Sequence, residues 1–572
     1  MTVVRVLPNV TGLDKQFDYL VPEEFAPISV GARVRIDLHG RRIGGWVVAV
    51  DPTDALDEDA LKPISSVSGI GPSPELVDLA AWASVRWAGR LRHFLTTASP
   101  DRAVVGVPTS RRTGSIVEPR SPASTAMIAN GGGVLRLPPS SDPMPAVLSA
   151  VATGPTLAIV PSVDRAMILG ARLRRSGLSV AVMPHDWGSA AGGVDVVVGA
   201  RAAAWAPCPG LTAVVVIDEH DEALQEEGSP TWHARDVVVE RARRVGAAVL
   251  MVSPAPTLTA LEWGELTRPP AARERAGWPI VDVIDRTDDE PWQRSLVTSE
   301  LIRHLRDPER VVVCVSNTTG RARLLACRQC RELTRCDRCD AAVMLDDAGD
   351  LICLRCGSQR PPVCLACGAS RFANLRPGVT RLREELEAAA NRPAVLVTGA
   401  GDDRPEHAGV YVGTEAALHR VERADTVAFL DFDREVLAPR YRAGEQAMAL
   451  LVRAARLVGS RAQGGRILVQ TFMPTHEVIQ AALHADPGRL VDVERARRQM
   501  LRLPPFGAYG EIGGAGSDEF VASIPATDGL IIVPADGGFV ARADDWMTLG
   551  QAINAGTRPP GARLRIAIDP AR

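Results

Sequence analysis

From about residue 146 onward, apolar runs of four to seven residues alternate with Arg- and Ala-rich stretches of helical periodicity. The runs include Leu157–Val160, Val194–Val198, Ala213–Ile217, Ala247–Val252 and Val311–Val315, and the rhythm resumes at 394–398, 426–430 and Ile467–Thr471. A strand that is apolar along its length has both faces covered, and helices between such strands supply the cover. The pattern predicts an α/β chain built on parallel sheets. No run approaches the ~18 residues of a membrane span. The first 20 residues carry Arg5, Asp14, Lys15 and Asp18, which argues against a signal peptide. The expected location is the cytoplasm, with no membrane partner.

The flanking segments read differently. Val3–Leu7, Arg33–Ile36 and Trp46–Val50 are β-branched and separated by Gly, Pro and Asn turns, which predicts a small β barrel or sandwich. Residues 73–95 are helical by periodicity, with Pro74 in a first turn and Leu76, Leu79, Ala80, Ala83 and Trp87 on one face. Residues 107–145 are rich in Pro, Ser, Thr and Gly, with Gly131-Gly132-Gly133 inside, and read as a linker or degenerate segment. After 505 short strands return at Leu530–Val533 and Leu564–Ile568.

A cysteine-rich insert, 327–367, interrupts the second run of apolar strands. It holds four C-x-x-C pairs: Cys327/Cys330, Cys336/Cys339, Cys353/Cys356 and Cys364/Cys367. Each C-x-x-C turn brings two thiolates to one side, and two such turns complete a tetrahedral site of four sulfurs. In a reducing compartment this spacing reads as metal ligation rather than disulfides. Eight ligands make two closed, structural zinc sites. Spacing alone leaves the pairing open, because sequential and nested arrangements both use every ligand. Cys208 and Cys314 stand alone and read as core residues. Residues 321–383 carry 12 Arg and six acids, a formal +6, and two zinc–tetrathiolate units bring this to about +2. Arg328, Arg331, Arg335 and Arg338 are suitable phosphate contacts, or equally a solvated face.

Composition sharpens one exclusion. Of 65 basic residues only Lys15 and Lys62 are lysine, leaving 63 arginines. A phosphate loop of the form G-x-x-x-x-G-K-[ST] needs a lysine for the β- and γ-phosphates. Lys15 is followed by Gln16 and Lys62 by Pro63, so the chain has no such loop. Yet Val214–Ile217 runs into Asp218-Glu219-His220-Asp221, and the next apolar run ends in Ser253-Pro254-Ala255-Pro256. An acid box followed, one strand later, by a small-residue turn is the order of helicase motifs II and III. The net charge of −3 gives no overall basic field, so any nucleic-acid site must be a local patch.

Over most of its length the chain resembles the PriA family of primosomal replication-restart proteins, which are superfamily 2 helicases. Phe17-Asp18-Tyr19-Leu20-Val21-Pro22 and Val30-Gly31-Ala32-Arg33-Val34-Arg35 resemble the opening of the family's 3′-DNA-end-binding domain. Gly199–Pro207, His233-Ala234-Arg235-Asp236, the four C-x-x-C pairs, Gly413-Thr414, Pro439–Glu445, Gln470-Thr471, Leu503-Pro504-Pro505-Phe506 and Ile568-Asp569-Pro570 follow in the family's order.

The resemblance implies two RecA-like helicase lobes, the second bearing an insert that holds two zinc ions on four cysteines each, with a small N-terminal β domain and a small C-terminal α+β domain. The expected spans are 1–105 for DNA-end binding, 106–145 for a linker or shrunken winged helix, 146–305 for lobe 1, 306–505 for lobe 2 and 506–572 for the C-terminal domain. It implies zinc pairing of Cys327/Cys330/Cys364/Cys367 and Cys336/Cys339/Cys353/Cys356. It implies a 3′-end pocket formed by Phe17, Asp18, Gly40 (the nearest glycine after the R-V-x-V strand) and Lys62. The carboxylate would accept from a 3′-hydroxyl, and the lysine would meet the terminal phosphate. The implied partners are branched or forked DNA, the replicative helicase and other primosome proteins, and single-strand-binding protein.

The departures concern the motor. In place of G-x-T-G-S-G-K-T the chain offers Val151–Thr156 running straight into Leu157–Val160, with loop and helix both missing. The acid box has lost a residue, and motif VI has become Arg453–Arg461, in which Arg456 matches the first of two arginines. The sequence is accordingly read as a fork-binding replication-restart protein without its own helicase activity and with no catalytic residue. The rivals are an active 3′-5′ helicase with a divergent nucleotide site and a protein-interaction scaffold with weak DNA binding.

Overall fold

The structure is a computed structural model that describes all residues except 1, 57, 115–117, 290–294, 317–324, 331–333, 335–336, 338–342, 347–348, 354–357, 375–378, 398–404, 439, 536 and 572. It divides into two compact units. The first comprises Met1–Leu137, Asp142–Pro269 and Val491–Arg572, and the second Pro138–Ser141 and Pro270–Leu490.

The first unit begins with a five-stranded antiparallel sheet. Its strands are β1 (Val3–Pro8), β2 (Phe17–Leu20), β3 (Arg33–Leu38), β4 (Arg41–Val50) and β5 (Ser66–Gly69), in the order β2-β1-β4-β3-β5. Alternation decides its faces. Val4, Val6, Tyr19, Val34, Ile36 and Val47 are buried together in one core, which leaves Arg5 and Asp18 on the other face. Helices α1 (Pro74–Arg86) and α2 (Leu91–Ala98) follow, with Leu76, Leu79, Ala80 and Ala83 buried as the periodicity requires.

A seven-stranded parallel sheet comes next, in the order β12-β6-β11-β10-β7-β9-β8. Its strands are β6 (Gly132–Arg136), β7 (Thr156–Ile159), β8 (Val180–Val182), β9 (Val196–Gly199), β10 (Ala213–Ile217), β11 (Ala248–Ser253) and β12 (Leu266–Thr267). The apolar runs therefore do form the expected RecA-like parallel sheet. The expected linker 106–145 differs: helix α3 (Pro122–Ala129) and strand β6 lie within it. The three glycines that suggested a linker are structural. All have positive φ, and a Cβ on Gly132 would stand 1.9 Å from Val249 O, so only glycine lets β6 approach β11.

The phosphate-loop position also needs correcting. Helix α4 (Met144–Val151) is present, joined to β6 by Leu137–Pro143, and the turn at 152–155 then enters β7. In a parallel sheet, phosphates bind where a strand's carboxyl end passes into a helix. The turn 152–155 lies at the amino end of β7, the opposite edge of the sheet from Asp218 at the carboxyl end of β10. The segment in the place of a phosphate loop is thus 137–143, and the helix after it is retained.

The second unit holds a six-stranded parallel sheet, in the order β13-β23-β22-β14-β21-β20. Here β13 is Ile280–Asp285 and β14 is Val312–Val315, while short strands β15 (Leu325–Cys327), β16 (Val343–Leu345), β17 (Leu351–Cys353), β18 (Gln359–Arg360) and β19 (Phe372–Asn374) belong to the cysteine insert. The sheet continues with β20 (Ala394–Val397), β21 (Val410–Gly413), β22 (Thr426–Phe429) and β23 (Arg466–Thr471). A lobe boundary at 305 would assign β13 to the first sheet. Instead β13 pairs with β23 from Ile280↔Arg466 to Asp285↔Thr471. A strand so distant in sequence from its partner gives no local signal of which sheet it joins.

The C-terminal segment returns to the first unit as a four-stranded antiparallel sheet of β24 (Ala508–Gly514), β25 (Ile531–Ala535), β26 (Gly538–Ala543) and β27 (Leu564–Ile568), in the order β25-β26-β24-β27. Its helix Trp546–Ala555 lies against α1. The Arg86 guanidinium is 4.9 Å from the Trp87 ring and 3.9 Å from the Trp546 ring, and Asn554 donates to Ser84 O at 3.0 Å. Its last strand is tied to the loop after the acid box, where Thr231 Oγ1 and Ser229 Oγ donate to Ile568 O and Ile566 O, each at 2.6 Å.

Candidate functional site

The acid box closes β10. Asp218 takes a left-handed backbone conformation (φ 59°), and its amide donates to Val252 O at 2.8 Å, holding the turn against β11. Its side chain is buried and is ion-paired with Arg165 from the first turn of helix α5 (Val163–Arg175). Glu219 is fully buried, and both of its oxygens are engaged. Its Oε1 accepts from Arg235 Nη1 at 2.7 Å and from Thr257 Oγ1 at 2.6 Å, and its Oε2 accepts from Thr257 N at 3.1 Å. His220 Nδ1 lies 2.8 Å from Ser253 Oγ, which links the acid box to the small-residue turn after β11. A buried carboxylate is tolerated only when paired and hydrogen-bonded, and both of these are.

The segment 137–143 reads Leu-Pro-Pro-Ser-Ser-Asp-Pro. A phosphate cradle is a run of free backbone N–H groups with glycines that permit close approach. This segment has no glycine, and its three prolines carry no N–H. The amides of Leu137, Ser140, Ser141 and Met144 already donate to Ser253 O, Gly277 O, Pro138 O and Asp142 Oδ1 at 3.2, 3.4, 2.9 and 3.0 Å. Asp142 adds a negative charge, held below the usual carboxylate range by its hydrogen bonds from Arg172.

The N-terminal pocket residues come from separate elements. Strand β2 sets Phe17 and Asp18 on opposite faces. Phe17 packs against the sheet's core with Lys15 Nζ 5.5 Å from its ring centre. Asp18, on the outer face, stands in register with Arg5, which grips it with Nε–Oδ1 at 2.8 Å and Nη2–Oδ2 at 3.1 Å. The chain at Lys62 lies against β2, with Leu20 N donating to Lys62 O at 2.9 Å, and the Lys62 side chain is exposed. Gly40 forms the β3–β4 turn with φ 76°, donates to Asp37 Oδ1 at 3.1 Å and faces open space. The hydroxyl of Tyr19, on β2, reaches Asp37 O at 3.1 Å. Asp18 thus lies on β2 and the Lys62 backbone pairs with the end of that strand at Leu20, while Gly40 is carried on the hairpin that Tyr19 braces. Arg5 and Arg165 escaped sequence reasoning. A single arginine within the apolar run Val3–Leu7 was the signal that could have found Arg5, whereas nothing local marks Arg165.

In the cysteine insert, Cys327, Cys330, Cys364 and Cys367 converge, with all four Sγ atoms within 4.8 Å of one another. The Cys327–Cys367 and Cys330–Cys364 sulfur separations are 3.5 and 3.6 Å. Tetrahedral zinc with bonds of about 2.3 Å spaces its sulfurs at roughly 3.8 Å, so the cluster fits zinc. The antiparallel pair β15–β19 brings the two ends of the insert together, Cys327 opposite Phe372. Backbone N–H groups of Cys330 and Gln329 hold the Cys327 thiol down to about 6, favouring the thiolate a metal needs. Spacing had left nested and sequential pairings open, and the first pair meets the last. Cys336, Cys339, Cys356 and the Cys353 side chain lie outside the described residues. Cys208 and Cys314 are buried, and burial pushes their thiols up to about 11 and 12, as inert core positions.

The family model of the PriA 3′ DNA-binding domain (3′BD) matches residues 5–100. The probable replication restart protein PriA of Mycobacterium tuberculosis (strain CDC 1551 / Oshkosh) is 29% identical over 561 residues, covering 87% of this chain and 84% of its own length. Replication restart protein PriA of Bacillus subtilis (strain 168) is 25% identical over 345 residues, 55% of this chain and 42% of its own. That of Haemophilus influenzae is 22% identical over 349 residues, 56% of this chain and 48% of its own. Among the described residues no helix is long and apolar enough to cross a membrane.

Proposed function

Taking the chain as a homologue of the PriA replication restart proteins, we propose that it binds stalled or branched replication forks through its N-terminal domain and helps reload the replicative helicase without unwinding DNA itself. The observation that carries this reading is a contrast between the N-terminal sheet and the acid box with the segment that replaces a phosphate loop. The end-binding sheet keeps Asp18 and Lys62 beside β2. In the acid box, by contrast, both carboxylates are taken by arginines, and the place of the phosphate loop holds three prolines and no lysine. ATP-driven chemistry needs donors on the phosphates and a carboxylate on Mg²⁺, and neither is on offer. Fork binding would rest on phosphate contacts and shape, and so would weaken steeply with salt.

In this reading the replicative helicase, other primosome proteins and single-strand-binding protein are the protein partners. Cys336, Cys339, Cys353 and Cys356 hold a second zinc, for two per chain. Its test is a metal-to-protein ratio on freshly purified protein, expected at two. The functional test is an ATPase assay with forked DNA beside equilibrium binding to the same fork. We expect tight fork binding with no DNA-stimulated hydrolysis. DNA-stimulated hydrolysis abolished by Asp218→Ala would overturn the reading and favour a helicase with a rebuilt nucleotide site.

A further inference from the structure

Arg5 joins the two sides of the DNA-end site. On one side its Nε and Nη2 hold Asp18 Oδ1 and Oδ2 at 2.8 and 3.1 Å. On the other its Nη1 donates to Asp54 Oδ2 at 3.1 Å, and Nη2 reaches Asp54 O at 3.5 Å. Asp54 lies in the connection from β4 that returns to β2 at Lys62, where Leu20 N donates to Lys62 O and Ile64 N donates to Leu20 O, both at 2.9 Å. We propose that Arg5 is a positioning residue for the DNA-end site, fixing the Asp18 carboxylate and anchoring the stretch of chain that carries Lys62. The proposal rests on the DNA-end reading above.

The geometry gives Arg5 this role rather than that of a DNA ligand. A guanidinium has five N–H donors in a fixed fork, and its four contacts to Asp18 and Asp54 engage most of them. Direct cross-strand register sets Arg5 opposite Asp18, so the pair forms with little side-chain freedom to lose. A bidentate grip uses one lone pair on each carboxylate oxygen and leaves the second. What remains is an oriented acceptor suited to a hydroxyl donor. Arg5 therefore contributes to preference for a 3′-hydroxyl end over a 3′-phosphate end.

The experiment measures equilibrium binding of the full chain to forks ending in a 3′-hydroxyl or a 3′-phosphate. Wild type, Arg5→Gln, Arg5→Lys and Asp18→Ala are compared, with thermal melting to check folding. Arg5→Gln is expected to lose about tenfold on the hydroxyl fork and nothing on the phosphate fork. Arg5→Lys should recover part of the loss, since an ammonium can hold one oxygen but not fork across two. It also serves as the readout if Arg5→Gln does not fold. Equal weakening on both forks would mean a merely structural role and overturn the proposal. A wild-type preference in Arg5→Gln, with preference lost in Asp18→Ala, would reject Arg5 while the DNA-end reading stands. A wild-type preference in Asp18→Ala would bring down the reading itself.

Discussion

Asp18 and Asp218 are each gripped by an arginine, yet the two pairs have opposite consequences. Asp218 is 1% exposed, and Arg165 reaches it from a neighbouring helix across the mouth of the acid box. There the guanidinium is the ion-pair partner of a carboxylate that is almost wholly buried. Asp18 lies on the outer face of a small sheet, its side chain 7% exposed, and Arg5 holds it from the adjacent strand, alongside it rather than over it. In the proposed function, the same pair of residue types accompanies loss of chemistry in one region and retention of binding in another.

The comparison can be broken at either end. The largest effect is expected at Arg235→Ala, which would leave Glu219 charged and without its arginine in the interior. Breaking such a buried pair costs about 3–5 kcal/mol, readable as a drop of many degrees in the first unit's thermal unfolding. Arg165→Ala should cost less, about 1–2 kcal/mol, because the Arg165 side chain is 45% exposed and partly screened. An unchanged melting point in both would mean that the acid box is not held together by its arginines. Asp18→Ala comes next, with about tenfold weaker binding to a fork with a free 3′ end, roughly 1.4 kcal/mol, and no change with a blocked end. The smallest effect is expected at Lys62→Ala. It should weaken binding several-fold and lower the slope of log affinity against log salt by roughly 0.7–0.9, the signature of one lost phosphate contact. A Lys62→Ala slope equal to wild type would remove that residue from the phosphate contacts.

Much of the scaffold was legible in the sequence because burial on both faces leaves an unmistakable trace. The runs Leu157–Val160, Ala213–Ile217 and Ala247–Val252 could only be internal strands, and they are neighbours in one sheet. The glycines at 131–133 misled because loop punctuation and a close strand approach use the same residue for different reasons. The retained helix after β6 was missed because, without G-x-x-x-x-G-K, nothing in Leu137–Pro143 marks the loop that precedes it. Of the candidate site residues, Asp18 and Lys62 stood out through the family resemblance, whereas Arg5, the partner of Asp18, lay in a strand read only for its apolar positions.

Residue chemistry alone determined three things: the parallel α/β class, the thiolate-rich insert and the lack of a lysine for a phosphate loop. Each depends on composition and period along a short stretch of chain, and no tertiary contact can add a missing ammonium group. Tertiary structure decided the rest. It brought the first C-x-x-C pair to the last, sent β13 to the distant β23, and chose Arg165 and Arg235 as the counter-charges of the acid box. Those choices join residues from 16 positions apart, for Arg235 and Glu219, to well over a hundred, for β13 and β23. Over such separations the sequence carries no directional information, and only packing selects the partner.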